Sequence, residues 1–226
     1  MKYKFTPILA ITLAFNSFAL ANEPIEKKPP VKGSQSLKNW FFSANVGAQV
    51  FIGDHDKQES VGKRISPNFG ISAGKWIEET NFGVRVNIDG GQIKGLTQTA
   101  GLAIDPQKGH VIGAPHFLYK QKFNFIHAHA DVLFHWSNDA YGVDLNRLYN
   151  LIPYAGFGVI SALDYQKKAK PTMNVGVIQT LRLNDNWDLN LDVKGNVVGD
   201  AFDGEIGGNN FEGRTAVSIG VNYTFR

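Results

Sequence analysis

From Trp40 to the end of the chain, apolar and polar residues alternate almost one for one. That period of two is the signature of strands and not of helices. In WFFSANVGAQVFI, Trp40, Phe42, Ala44, Val46, Ala48, Val50 and Ile52 share one face, and Ser43, Asn45, Gly47 and Gln49 share the other. In FGVRVNIDG, Phe82, Val84, Val86 and Ile88 oppose Arg85, Asn87 and Asp89. WDLNLDVK sets Trp187, Leu189, Leu191 and Val193 against Asp188, Asn190, Asp192 and Lys194, and RTAVSIGVNYTF sets Val217, Ile219, Val221, Tyr223 and Phe225 against Arg214, Ser218, Asn222 and Thr224. Weaker runs at about 65–77, 123–136, 150–162 and 171–183 bring the number of predicted strands to eight, each of roughly 9 to 13 residues. The pattern predicts no helix. No run of 18 apolar residues exists, so a helical membrane span is excluded.

The connections carry the next constraint. Only Glu78–Asn81 separates the second and third strands, and only Asn184–Asn186 the sixth and seventh, so both are tight hairpins. The joins after strands one, three, five and seven are longer, above all residues 90–122. Short and long connections alternating end to end are the pattern of bacterial outer-membrane barrels, with short periplasmic turns and long outer loops. Residues 137–148 are longer than that rule expects of a periplasmic turn.

Ahead of the strands, residues 1–21 have the three parts of a secretory signal: Lys2 and Lys4, an apolar run from Pro7 to Phe15, and Ala19-Leu20-Ala21 before Asn22. The apolar run is too short to span a bilayer, so it reads as a cleaved leader. Residues 22–39, polar and holding three prolines, read as a flexible periplasmic lead-in to a barrel over 40–226. The formal charge is +3, of which Lys2 and Lys4 supply two, leaving +1. Nothing in that balance attracts nucleic acid. The chain has no cysteine, so disulfides and an N-terminal lipidated cysteine are both excluded.

Alternation alone does not say which face meets lipid, because a soluble lipocalin-type barrel is the same pattern turned inside out. A strand of about 11 residues tilted near 40° spans roughly 28 Å, the height of an apolar membrane band. The tryptophans give a second indication. Trp40, Trp76, Trp136 and Trp187 all fall at strand ends that antiparallel pairing gathers on one rim, where Phe82 and Phe225 join them as an interface girdle. The parity of Trp76 follows the inward set unless a bulge shifts it.

The last strand, Ser218-Ile-Gly220-Val-Asn-Tyr223-Thr-Phe225, resembles the C-terminal insertion signal of outer-membrane barrels, with Arg226 in place of the usual terminal aromatic. That resemblance implies the outer-membrane barrel assembly machinery as a partner. The segments GISAGKWI, NFGVRVNIDGG, HADVLFHWSN, IPYAGFGV and DNWDLNLDVKG resemble the small OmpA-like barrels of the Bacteroidota type. The resemblance implies an eight-stranded antiparallel transmembrane β-barrel with a polar, side-chain-filled lumen. Those relatives often carry a peptidoglycan-binding domain after the barrel. Here the last strand ends the sequence, and wall anchoring is not among the expectations.

One stretch invites chemistry. In FNFIHAHADVLFHW, His127, His129, Asp131 and His135 fall on the face opposite Ile126, Ala128, Ala130, Val132, Phe134 and Trp136. Histidines two apart on a strand stand about 7 Å apart and could share one ion. HxHxD also resembles the zinc motif of the metallo-β-lactamase fold, although that motif's next histidine is Val132 here. The other reading is that a narrow barrel fills its interior with hydrogen-bonding side chains. Charge parity favours it: Arg85, Arg182, Lys194 and Arg214 point inward, as do Asp89, Asp131, Asp188 and Asp192, four of each sign. Unpaired charges inside would cost several kcal/mol, so a balanced set predicts a closed network and neither metal nor cofactor. The Gly-rich pieces GGQIKG and GEIGGNN fall in expected loops and not between a strand and a helix. Lipid-modifying hydrolases of this compartment carry their catalytic groups on the lipid face. Here that face is apolar except for Gln179, which reads as the mark of a bulge, and no enzyme is expected.

The expected function is a structural or adhesin-like surface role. Residues 53–64 and 90–122 would contact host or cell-surface ligands, while the barrel rests in lipid and lipopolysaccharide. The alternative is a narrow channel gated by the lumen ion pairs.

Overall fold

A computed structural model describes residues 37–107, 117–144, 146–164, 169–205 and 211–225, so the expected leader and most of the lead-in lie outside the described residues. Eight strands form one sheet: β1 (Trp40–Ile52), β2 (Ser66–Trp76), β3 (Phe82–Thr97), β4 (Tyr119–Phe134), β5 (Tyr149–Ala162), β6 (Ala169–Arg182), β7 (Trp187–Gly199) and β8 (Phe211–Thr224). Each pairs antiparallel with its sequence neighbour, and β1 closes on β8 from Phe41↔Thr224 to Ile52↔Gly213. Closure leaves no strand with an unpaired edge, which a backbone crossing hydrocarbon requires. The chain entering β1 secures the seam: Asn39 N–H donates to Phe225 O at 2.7 Å, and Trp76 N–H donates to Asn39 O at 3.0 Å.

The parity read from the sequence holds through every strand. Outward apolar side chains are exposed all round the barrel, as with Ile71 at 62%, Val86 at 58% and Phe157 at 68%, while inward ones such as His127 at 0% and Arg214 at 2% are buried. An apolar belt of this extent is a surface built for hydrocarbon and not for water. On β4 it runs from Phe134 to Ile126, about 21 Å along the barrel axis for strands tilted near 40°. At its lower edge aromatic rings touch around the rim: Phe82–Phe134 at 5.2 Å, Trp187–Tyr223 at 5.0 Å, Tyr223–Phe225 at 4.9 Å and Phe42–Phe225 at 6.1 Å. The protein is an outer-membrane barrel.

Four expectations need correction. Residues 90–97 and 119–122 are strand and not loop, because β3 and β4 pair without a break from Phe82↔Phe134 to Thr97↔Tyr119. Above the belt the solvent changes sides: Ile93 and Phe123 point into a dry interior while Lys94 and Lys122 point out into water. That inversion hides the strand from a pattern that looks for apolar residues outside.

Strand β4 stops at Phe134, and Trp136 opens a short helix, Trp136–Tyr141, capped by His135 Nδ1 accepting from Asn138 N–H. A second short helix, Val61–Arg64, lies in the β1–β2 loop, so helix is brief but present. Gln179 marks no bulge, since β5–β6 and β6–β7 keep one register past it. Its Oε1 accepts a hydrogen bond from Tyr149 OH at 2.9 Å, which satisfies the amide oxygen on the lipid side.

Orientation makes a direct prediction. Val86→Arg at mid-belt should cost about 2–4 kcal/mol of stability in lipid vesicles, and Gln92→Arg, above the belt, at most about 1 kcal/mol. Chemical unfolding of the two variants checks it.

Candidate functional site

The lumen's middle is built by register. Pairing sets Arg85 beside Asp131, Asn87 beside His129 and Asp89 beside His127 on β3 and β4, and Asp192, Lys194 and Arg214 enter from β7 and β8. Asp89 is the hub: its Oδ1 accepts from Lys194 Nζ at 2.5 Å and its Oδ2 from Arg214 Nη1 at 2.6 Å. Arg85 donates from Nε and Nη2 to Asp131 Oδ2 at 3.0 and 2.8 Å, and from Nη1 to Asp192 Oδ2 at 3.2 Å. Tyr154 OH donates to Asp192 Oδ1 at 2.7 Å, and the Arg85 guanidinium lies 4.3 Å from the Tyr154 ring. Arg214 also donates to Asn196 Oδ1 and Gln49 Oε1, both at 3.0 Å, and sits 4.7 Å from the Phe125 ring. Three cations meet three carboxylates, all of them buried. Burial of such charges is tolerable only when each is paired and hydrogen-bonded.

The histidines belong to the same network. His129 Nδ1–H donates to Asp131 Oδ1 at 2.8 Å, which leaves Nε2 to accept from Lys194 Nζ at 3.4 Å. His127 Nε2 lies 2.9 Å from Thr172 Oγ1, and its Nδ1 lies 3.1 Å from Asp89 Oδ1 and 3.0 Å from Arg214 Nη2. One nitrogen cannot both donate to the carboxylate and accept from the guanidinium, so the tautomer settles which bond is made. The two rings stack at 4.6 Å. Glycines make room for them: a Cβ on Gly158 would fall 2.4 Å from His129 Cβ, and one on Gly156 would fall 2.4 Å from Asp131 Oδ1.

Ligand atoms of Asp89, His127 and His129 lie within 4.8 Å of one another, close enough to hold a metal ion. Yet Asp89 already carries an ammonium and a guanidinium, so a dication would have to displace two resident cations. The chemistry of the donor set fits an ion-pair network better than a metal centre.

Above this layer apolar side chains dominate the lumen, beside the buried Glu212, contrary to the expectation of a polar interior throughout. Phe51, Ile93, Phe123, Phe125, Ile160 and Val198 close around Phe202, which descends from the β7–β8 loop. Phe202 lies 5.8 Å from Phe51 and 5.7 Å from Phe123. Ala201, at φ 68°, makes the turn that drives Phe202 down. The outer loops are stitched over this plug. Asp56 accepts from Gly53 N–H at 2.8 Å and Leu96 N–H at 2.7 Å, and Arg64 donates to Phe51 O at 2.5 Å. Gln121 donates to Asp203 O at 2.6 Å, and Glu205 Oε1 accepts from the Thr97 hydroxyl and from the N–H groups of Gln98 and Thr99. Burial pushes the Asp56 carboxyl up and the Asp203 carboxyl up to about 6. Below the network the lumen opens into a cup of about 730 Å³ facing the periplasmic end, with Phe41, Leu133, Ile152 and Ile178 on one wall and Asn45, Asn190 and Asn222 on another.

Not every predicted lumen residue joins the central cluster. Asp188 sits nearer the periplasmic mouth, where its Oδ2 accepts from Asn222 Nδ2 at 3.2 Å. Arg182 lies at the rim and donates to Asn184 O and Asp185 Oδ1, both at 3.1 Å. His135 sits below the strand, with its ring 5.2 Å from Trp76. Trp76 faces the lumen and not lipid, packing on Phe41 at 5.9 Å, so it leaves the girdle as its parity required. Trp40, Phe82, Trp136, Trp187 and Phe225 stay at the belt's lower edge. Tyr154, Asn196, Gln49 and Thr172, which complete the network, share lumen parity but carry no charge to draw attention.

No family model matches the chain, and no curated protein matches it. Among solved structures it is similar to Neisserial surface protein A, at 15% identity over 83% of this chain and 98% of that one, with a TM-score of 0.49. It is also similar to Ail, the attachment invasion locus protein of Yersinia pestis, at 11% identity over 83% and 99%, TM-score 0.43. A major outer membrane protein from Thermus thermophilus is similar at 16% identity over 82% and 99%, TM-score 0.45. The fold rests on the strand register given above.

Two outcomes test this arrangement. Arg85→Met strands Asp131 and Asp192 and should cost about 3–5 kcal/mol in chemical unfolding, with part recovered in Arg85→Met/Asp131→Asn. The rim pair of Arg182 with the exposed Asp185 should contribute less than about 1 kcal/mol. The second outcome concerns pH. Asp203 is harder to ionise in the folded cap than in the open chain, so its contribution is full below the ordinary carboxylate range and is lost as pH rises through about 6. Proteolysis of the outer loops should therefore be faster at pH 8 than at pH 5, and Asp203→Asn should reduce that difference.

Proposed function

We propose that this outer-membrane barrel is a structural and surface-interaction protein, adhesin-like, with its outer loops as the working part and its lumen as a closed support. The observation that carries the reading is the filled bore: a neutral ion-pair layer lies beneath an aromatic plug that the loops themselves cover. A solute would have to break both. The loops expose apolar anchors of the kind that dominate protein contacts, Val61 at 56%, Ile104 at 58% and Phe117 at 70%. The likeness to OmpA-like barrels of the Bacteroidota type belongs to the same reading, as does capture of Ser218, Gly220, Tyr223 and Phe225 by the barrel assembly machinery.

The test is loop surgery on cells. Val61→Ser/Ile104→Ser/Phe117→Ser should reduce attachment to host cells or extracellular matrix at least roughly tenfold while the folded barrel persists in the membrane. Unchanged attachment counts against the reading. In planar bilayers the protein should pass no steady current. A steady conductance that changes in Asp131→Ala would favour the narrow gated channel instead.

A further inference from the structure

Among the described strand residues, outward-facing charge above the apolar belt is confined to one side of the barrel. On β3 and β4 the outward positions beyond Ile88 and Ile126 include Lys94, Lys122 and Lys120, and Lys94 and Lys122 are direct register partners. Across the rest of the circumference, no described outward strand residue above the belt is charged: the positions are Val50, Ile52, Ser161, Ala169, Val197, Gly199, Phe211 and Thr215 among others. Like charges directly opposite one another on a sheet repel, and water alone gives no reason to place them so.

The neighbouring loop adds to the patch. Glu59 lies 3.7 Å from both Lys63 and Lys120, and its own side chain is only 7% exposed, while those lysines are 67% and 60% exposed. Lys94 Nζ donates to Ile65 O at 3.2 Å, which ties it to the same loop. Two lysines therefore share one submerged carboxylate, beside the facing pair Lys94 and Lys122. The height of the patch also matters. Lys122 is four residues beyond Ile126, about 10 Å above the hydrocarbon edge for strands tilted near 40°. That is the level of the headgroups, where anionic lipid rewards each lysine and salt screens the reward.

From this we infer that the β2–β4 sector is a docking site for the phosphorylated glycolipid of the outer leaflet, with Lys94 and Lys122 clamping a lipid A or inner-core phosphate and Lys63 and Lys120 flanking it. The inference rests on the barrel's place in the membrane and is independent of whether the loops adhere to anything. It adds a fixed lipid neighbour on one side of the barrel.

The experiment titrates the purified, folded protein in zwitterionic detergent with fluorescent lipopolysaccharide, folding being confirmed by heat-dependent gel mobility. Lys94→Gln/Lys122→Gln should weaken apparent affinity roughly 10- to 30-fold, and Lys75→Gln, outward on the periplasmic rim, should leave it unchanged. Dephosphorylated lipid A should bind the unaltered protein as weakly as intact lipid A binds the double variant. The assignment is overturned if the folded double variant keeps full affinity, if Lys75→Gln weakens binding equally, or if removing the phosphates changes nothing. It is overturned as well if a soluble sulfated oligosaccharide engages the same lysines more tightly than lipid A does.

Discussion

Closure of β1 on β8 is the constraint from which the rest follows. A backbone in hydrocarbon has no water to satisfy it, so every N–H and C=O must find a partner within the sheet. Eight strands closed in this way enclose a bore only wide enough for side chains. The period of two then assigns each residue to lipid or lumen with no intermediate choice. A one-residue slip of β3 would bring Arg85 and Asp89 out into lipid and push Val86 inward.

The lumen answers that constraint in layers. At mid-height three cations and three carboxylates cancel around Asp89 and Arg85. Above them aromatic rings pack around Phe202, and below them the wall loosens into the periplasmic cup. The ion layer specifies how strands from opposite sides of the barrel face one another, since Asp89 on β3 reaches Lys194 on β7 and Arg214 on β8. The aromatic layer couples a surface loop to the core, because Phe202 belongs to the β7–β8 connection. A change in the outer loops is thus felt at the plug, whereas the ion layer beneath it is held by strand residues alone.

Much of this is legible in the sequence because parity is a property of position and not of context. The central charged residues Arg85, Asp89, His127, His129, Asp131, Asp192, Lys194 and Arg214 all fall on the inward face by alternation alone, as does the misfit of Trp76. What stays hidden depends on depth. Residues 90–97 do not read as strand because above the membrane the apolar and polar faces exchange solvents, placing Ile93 inside and Lys94 outside. Phe123 and Phe125 share parity with His127, so the aromatic plug is open to the same reasoning, but a rule that expects apolar residues in lipid passes over them. The end of β4 falls two residues earlier than the pattern implies, because Trp136 continues the apolar alternation into a helix whose cap, His135, resembles another lumen histidine. Arg182 has inward parity too, but it lies at the last position of β6, where the turn partner Asp185 is nearer than anything in the lumen.

The central claim is that alternate residues face lipid and a dry interior. The chain has no cysteine, so single cysteines placed in turn at positions 84 to 88 of the folded barrel in vesicles can each carry a nitroxide. Collision with dissolved oxygen and with a water-soluble nickel chelate reports what surrounds each label. Positions 84, 86 and 88 should collide with oxygen and not with nickel, while 87, buried in the ion layer, should collide with neither. Frequent nickel collisions at 84, 86 and 88 would mean that water wets the supposed lipid face, contradicting the orientation on which the whole account depends.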